Sequence, residues 1–262
     1  MPSNHDMRNL ALHLGWLLVP KYFGWFAFLR RRLKKYRDRH VGENCIIIGN
    51  GPSLNNMDLS LLKGCNTIGM NKIHLLFDKT FLDLSYHVSV NDHVLEQCQD
   101  VFWALECDSF ISYEGASGGF VSKLFDDFNY LLVGGELRFN EDISYPISAG
   151  STVTFVAMQL AYYMGFRNVY LIGVDHSFKC NGKPHETQYL EGEDVNHFDP
   201  NYFSGSKWQL PDLEGSEAAY HLADYYFRKC GRNIYDATVA GQLNIFPKVS
   251  FQEAVSQCKR NA

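Results

Sequence analysis

This 262-residue chain lacks a basic excess: 24 Lys and Arg stand against 29 Asp and Glu, a formal net charge of −5. A general nucleic-acid binder carries a basic face, so this balance argues against nucleic acid as a partner. The seven cysteines (Cys45, Cys65, Cys98, Cys107, Cys180, Cys230 and Cys258) are scattered, odd in number and never form CxxC. No zinc motif is visible, and the pattern reads as reduced thiols in a cytoplasmic protein. The sequence also has no GxGxxG, no P-loop GxxxxGK[ST] and no DxD, which removes the usual markers of dinucleotide, polyphosphate and metal-dependent sugar-nucleotide sites. What the chain has in quantity is apolar residues, 46%, with 15% aromatics. That is enough for one large α/β domain and excludes a disordered protein.

The most informative stretch is Cys45–Leu54, CIIIGNGPSL. Ile46, Ile47 and Ile48 predict a short strand buried on both faces, as in a parallel sheet. The glycines of Gly49-Asn50-Gly51-Pro52-Ser53 let a ligand approach the backbone. With Ser53 as N-cap of a helix over Leu54–Leu62, the turn would offer free N–H groups to a phosphate.

Strand-like and helix-like segments alternate from there on. Strands are predicted at Cys65–Met70, Phe81–Val90, Phe110–Ser112, Val169–Ile172 and Asn233–Tyr235, and helices at His93–Gln99, Thr152–Gly165 and Ser216–Cys230. Glu217 and Asp224 fall on the solvated side of the last helix. Residues 113–147 predict a long loop or lid with little regular structure, and Lys179–Leu213 a polar loop. The alternation implies a Rossmann-like, doubly wound, mainly parallel sheet with helices on both faces. Ligands sit beyond the carboxyl ends of such strands. The strand ends here carry Asn50 and Ser53, Asn71, Asn91 and Asp92, and Asp175 and His176.

Residues 1–40 are expected to form a separate N-terminal segment, and residues 41–262 the Rossmann-like domain. Leu10–Leu29 is apolar and aromatic and runs into the basic stretch RRRLKKYRDRH, residues 30–40. Charges after the apolar run are in the wrong order for a secretory signal, and Pro20, Lys21 and His13 interrupt what would be a membrane span. Two readings fit: an amphipathic helix over residues 10–39 lying on an anionic membrane surface, or a helix packed on the domain with a solvated basic end.

GNGPSL after a strand, Asn71, the VND of Val90-Asn91-Asp92, and SAGSTVTFVAMQLAYYMGFRNVYLIGVD together resemble a family of bacterial CMP-sugar-dependent glycosyltransferases. It includes lipooligosaccharide sialyltransferases and the motility-associated transferases that attach nonulosonic acids to flagellin. The same domain resembles the 6-hydroxymethylpterin diphosphokinase-like proteins. The likeness covers about Cys45–Pro247. It implies an inverting, metal-independent transfer of an acidic sugar such as sialic acid from CMP to a surface glycan or glycolipid, with no cofactor beyond the donor. In that reading Gly49, Asn50, Gly51, Ser53, Asn71, Asn91, Ser148, Gly150, Ser151 and Asp175 hold the nucleotide and donor sugar. His197, in VNHFDPNYF, is the general base. The family's tyrosines after the GxD strand are replaced by His176, Ser177 and Phe178, then His185, so His176 and His185 become the candidates for assisting the leaving phosphate. The aromatic loop around His197, with Trp208 and Pro211, reads either as an acceptor platform or lid or as a satellite hydrophobic cluster.

The enzymatic alternative is an ATP- and Mg²⁺-dependent diphosphokinase using Asp92, Asp175 or Asp199. The non-enzymatic alternative is a nucleotide-binding scaffold in polysaccharide assembly. The transferase reading implies the cytoplasm, with peripheral attachment to the inner face of the membrane. The open edges of a parallel sheet make a homo-oligomer plausible.

Overall fold

The computed structural model describes residues 20–113 and 128–259. The isoleucine run forms strand β1 (Asn44–Ile48), buried at all five positions. Successive strand side chains face opposite ways. Cys45 and Ile47 enter one core and Ile46 and Ile48 the other, so both faces of the strand are covered. In chain order follow β2 (Asn66–Met70), β3 (Tyr86–Ser89), β4 (Asp108–Ser112), β5 (Asn129–Leu131) and β6 (Asn168–Ile172). The strands β7 (Thr187–Leu190) and β8 (Ser206–Gln209) pair only with each other, antiparallel, and β9 (Asn233–Asp236) returns to the main sheet.

The seven-stranded sheet has the order β5-β4-β3-β2-β1-β6-β9 and is parallel throughout. The chain steps outward from β1 to β5, then crosses back and lays β6 against the other side of β1. This is the expected Rossmann-like α/β fold, and its strand order reverses between β1 and β6. The crevice beyond the carboxyl ends at such a reversal is the ordinary ligand site of an open α/β sheet.

Among the described residues five α-helices accompany the sheet: α1 (Pro20–Lys34), α2 (Asp92–Trp103), α3 (Val153–Met164), α4 (Leu213–Lys229) and α5 (Phe251–Lys259). Helices α3 and α4 cover one face through Phe155, Leu160, Ala219 and Phe227. Helices α2 and α5 cover the other through Leu95, Phe102, Phe251 and Ala254. α3 is apolar all round because every residue from Thr154 to Met164 is buried. Thr152 caps it by accepting from the Thr154 amide at 3.2 Å, and Gly165, at φ +92°, ends it. The buried Gln159 accepts from the Asn140 amide at 2.9 Å and donates to the Ser148 carbonyl at 2.9 Å. That polar residue ties the segment entering α3 to the helix itself.

Several local expectations change. Leu54–Leu62 is not one helix but two 3₁₀ turns, Pro52–Asn56 and Leu59–Leu62. Gly51 occupies the cap of the first, and Ser53 lies inside the turn. Phe81–Leu84 precede β3 as irregular backbone. Within the expected lid, β5 is a strand, and Val133 bridges Ile147 in parallel; residues 114–127 lie outside the described residues. The polar loop contains the β7–β8 hairpin, and α5 had no counterpart in the sequence reading.

Of the N-terminal segment, residues 1–19 lie outside the described residues. Leu29, Leu33 and Tyr36 enter the cores, while Arg31 and Lys34 are exposed, so the end of α1 packs on the domain with basic side chains outward. Among the described residues no helix is long and apolar enough to cross a membrane.

Candidate functional site

Two glycines make the joint between β1 and β6. The Gly49 amide donates to the Ile172 carbonyl at 2.7 Å and the Gly51 amide to Gly173 at 2.9 Å. A Cβ on Gly49 would stand 2.2 Å from the Gly173 carbonyl oxygen, and one on Gly51 1.8 Å from Asp175 Oδ2. Only glycine allows the two chains to stay paired past the end of the sheet. Ser53 completes the joint, donating its amide (3.0 Å) and hydroxyl (2.7 Å) to the Asp175 carboxylate. Burial raises the Asp175 carboxyl and the two Ser53 bonds pull it back down.

This corrects the expected phosphate cradle. The amides of Gly49, Gly51 and Ser53 are all used to join the two strand ends, and Pro52 has none. Ser53 lies behind the wall, bonded to Asp175, and is not a lining residue. What the turn presents instead is Asn50. Its carbonyl accepts from the Phe198 amide at 3.0 Å, and its side-chain oxygen is buried without a partner.

Above this joint lies a cavity of about 650 Å³. Gly49, Asn50 and Gly51 line it with Asn71, Asn91 and Asp92 from the neighbouring strand ends. Ser148, Gly150 and Ser151 line it from the start of α3, and Asp175, His176, His185 and His197 close the other side. Apart from Ser53, every residue that the transferase reading assigns to the site therefore meets in one space.

The asparagines are fixed by their oxygens. Asn91 caps α2, accepting from the Val94 amide at 3.2 Å. Asn71 accepts the Ser89 hydroxyl at 3.1 Å, with its backbone held in the left-handed region at φ +49°. What these two side chains have left for a ligand is chiefly their NH₂ donors.

Behind Asn71, the fully buried His87 approaches its carbonyl through Nε2 at 2.9 Å, while its Nδ1 has no partner. Burial pushes this imidazole down to about 4. The folded protein thus refuses a proton that the unfolded chain takes near the ordinary value of about 6.5. Stability is expected to fall as pH drops from 7 to 4, by about 3 kcal/mol from this group alone. Urea denaturation across that range checks it: His87→Asn should flatten the slope by that amount, and an unchanged slope would sink the assignment.

Three cavity histidines are each held by a carboxylate that does not line the cavity. His176 Nε2 lies 2.8 Å from Glu217 and His185 Nε2 3.1 Å from Asp212. His197 Nδ1 lies 2.8 Å from Asp194. The pairings differ in kind. His176 and His185 use the ring-tip Nε2 on their carboxylates, whereas His197 uses Nδ1 and leaves Nε2 without a hydrogen-bond partner among the described residues. Asp212 also accepts the Ser151 hydroxyl at 3.0 Å and caps α4 through the Gly215 amide at 2.9 Å; these bonds and His185 hold its carboxyl below the usual range. Glu217 is exposed, as expected, and is also the partner of His176.

The aromatic loop forms a buried cluster, and Phe203, Trp208 and Pro211 of this region also line the cavity. Phe198, Tyr202, Phe203 and Trp208 are all buried, and the His197 ring stacks on Tyr202 with centroids 4.1 Å apart and planes 6° apart. Of the six described non-glycine residues with positive φ, four (Asn71, Ser151, His176 and His185) line this cavity. Strained backbone gathers where a site requires a fixed geometry.

Sequence reasoning missed Asp194, Asp212 and Glu217. Only Asp194 had a local signal, standing three residues before His197 in DVNH. Asp199 is in a salt bridge with Lys79 at 2.6 Å and does not line the cavity. Among the described residues, no group of three or more His, Cys, Asp or Glu is arranged to hold a metal ion. No family model matches the chain, and the curated proteins and solved structures compared with it give no match.

Proposed function

We propose that this protein is a glycosyltransferase that moves an acidic sugar from a CMP-activated donor to a hydroxyl of a surface glycan or glycolipid. The observation that carries the reading is the pairing of His197: alone of the three carboxylate-paired histidines that line the cavity, it gives Nδ1 to its carboxylate and leaves Nε2 without a hydrogen-bond partner among the described residues. As general base, Nε2 takes the proton of the acceptor hydroxyl. The hydroxyl oxygen forms the new bond to the anomeric carbon from the face opposite the departing CMP, whose phosphate keeps the electron pair of the broken C–O bond. Negative charge grows on that phosphate. The donors available to meet it are the asparagine amides and the positive N-terminal end of α3, whose first residues line the cavity. His176 and His185 can add to this only through Nδ1, as imidazolium, since Nε2 is engaged.

The diphosphokinase alternative has less support. Of its three candidate Mg²⁺ carboxylates, Asp199 is turned to Lys79 and Asp175 to Ser53. The reading places the enzyme in the cytoplasm, with the exposed Arg31 and Lys34 of α1 available to an anionic membrane carrying the acceptor.

A thermal-shift series with CMP, CDP, UDP, ADP and ATP, each with and without Mg²⁺, tests it. A ligand at a hundred times its Kd adds about 2.7 kcal/mol, roughly 5–10 °C for a chain of this size. CMP is expected to give that shift without metal. A shift by ATP that needs Mg²⁺, with none from CMP, would transfer the assignment to the diphosphokinase. No response to any nucleotide would overturn the nucleotide-site reading itself, transferase, diphosphokinase and scaffold alike.

A further inference from the structure

We infer that Asp194 is the positioning residue of this site: it fixes His197 as the Nδ1–H tautomer and aims a basic Nε2 into the cavity. The inference rests on the transferase reading for its purpose, and on geometry for its content. Asp194 is only 4% exposed, and its Oδ2 lies 2.8 Å from His197 Nδ1. Its other oxygen accepts the Asn196 amide at 2.9 Å, and its own amide donates to the Pro200 carbonyl at 2.8 Å. The carboxylate is held at both oxygens and through its backbone, so it cannot swing away from the ring.

An ionised carboxylate only accepts hydrogen bonds. The nitrogen it faces must therefore carry the proton, and the lone pair is left on Nε2. Tyr202, stacked on the imidazole, sets the ring plane, while Phe203 and Trp208 stand edge-on at 5.3 and 6.5 Å. The charged group facing this buried pair is Lys72. Its ammonium donates to the Tyr202 carbonyl at 2.5 Å and stands close enough to Asp194 for their charges to act on each other.

Asp194→Asn keeps the shape of the side chain and the bond from the Asn196 amide, but puts an NH₂ donor against Nδ1. The tautomer should then invert, with the proton moving to Nε2, and no base would face the cavity. The experiment is ¹⁵N NMR of the histidine rings at about pH 8, in parent and variant, beside CMP affinity and turnover of a CMP-sugar. The parent should show Nδ1–H at His197 and the variant Nε2–H. Turnover should fall by at least ~10²-fold with CMP affinity kept within about twofold.

The ring signal does not depend on the transferase reading. Inversion in a parent that turns over no CMP-sugar would keep the positioning role and discard the reaction. An unchanged tautomer, or turnover in the variant within twofold of the parent, would overturn the role. Should Asp194→Asn not fold, the parent spectrum alone decides, because Nε2–H at His197 in the parent would overturn it as well.

Discussion

Gly49→Ala is expected to remove the cooperative folding transition of this protein. The added Cβ would stand 2.2 Å from the Gly173 oxygen, 2.6 Å from its carbonyl carbon and 3.1 Å from the Val174 nitrogen. All three are backbone atoms, so no rotamer relieves the clash. The ends of β1 and β6 would have to part, losing the bonds from Gly49 to Ile172 and from Gly51 to Gly173. Both strands are central and buried, so the cost should exceed about 4 kcal/mol, against a typical total of about 5–15 kcal/mol. Circular dichroism during urea titration measures it. Gly192→Ala is the control: nothing lies within 4 Å of its Cβ position and its φ is ordinary, so it should stay within about 1 kcal/mol of the parent. A Gly49→Ala protein that unfolds at the parent's urea midpoint would mean that the joint is not built as described.

His197→Asn is expected to lower turnover by roughly 10²–10⁴-fold, the usual contribution of a general base. Asparagine suits the test because its NH₂ can still donate to Asp194, which keeps the buried carboxylate from losing its partner. The nucleotide contacts in the proposed mechanism come from Asn50, Asn71, Asn91 and the start of α3, not from His197. CMP affinity should therefore hold within a factor of about two while the rate collapses, a pattern that separates loss of chemistry from loss of binding. A matching loss of CMP affinity would make His197 a binding residue, and unchanged turnover would remove it from the mechanism. His176→Asn and His185→Asn should cost less, since neither presents Nε2 to the cavity.

The same histidines show where legibility in the sequence stopped. His176, His185 and His197 were all readable as candidates from their place after the GxD strand, yet nothing local distinguishes a ring that spends its tip from one that keeps it. That difference depends on Asp212 and Glu217, which are 27 and 41 residues from their histidines. Asp194 lies three residues from His197, and its role was the one pairing within reach of a sequence argument.

Ser53 illustrates the opposite error. A serine after a glycine-rich turn has the local features of a helix cap, and its use as a link to Asp175 appears only once a residue 122 positions away is placed beside it. The aromatic residues of HFDPNYF carry no mark of whether they face a ligand or the core. In the structure Phe198 and Tyr202 belong to the core alone, whereas Phe203 and Trp208 are buried and also line the cavity.

The sequence by itself determined the parallel α/β sheet, because runs such as Ile46–Ile48 and the apolar helix Val153–Met164 express their periods locally. It also determined which residues stand at the strand ends, since position after a strand is a matter of order along the chain. Only the tertiary structure decided which donors remain free and which way each histidine faces. Those properties belong to pairs of residues brought together by the β1–β6 contact and the packing of α4, and a local pattern does not encode a partner that lies from tens to more than a hundred residues along the chain.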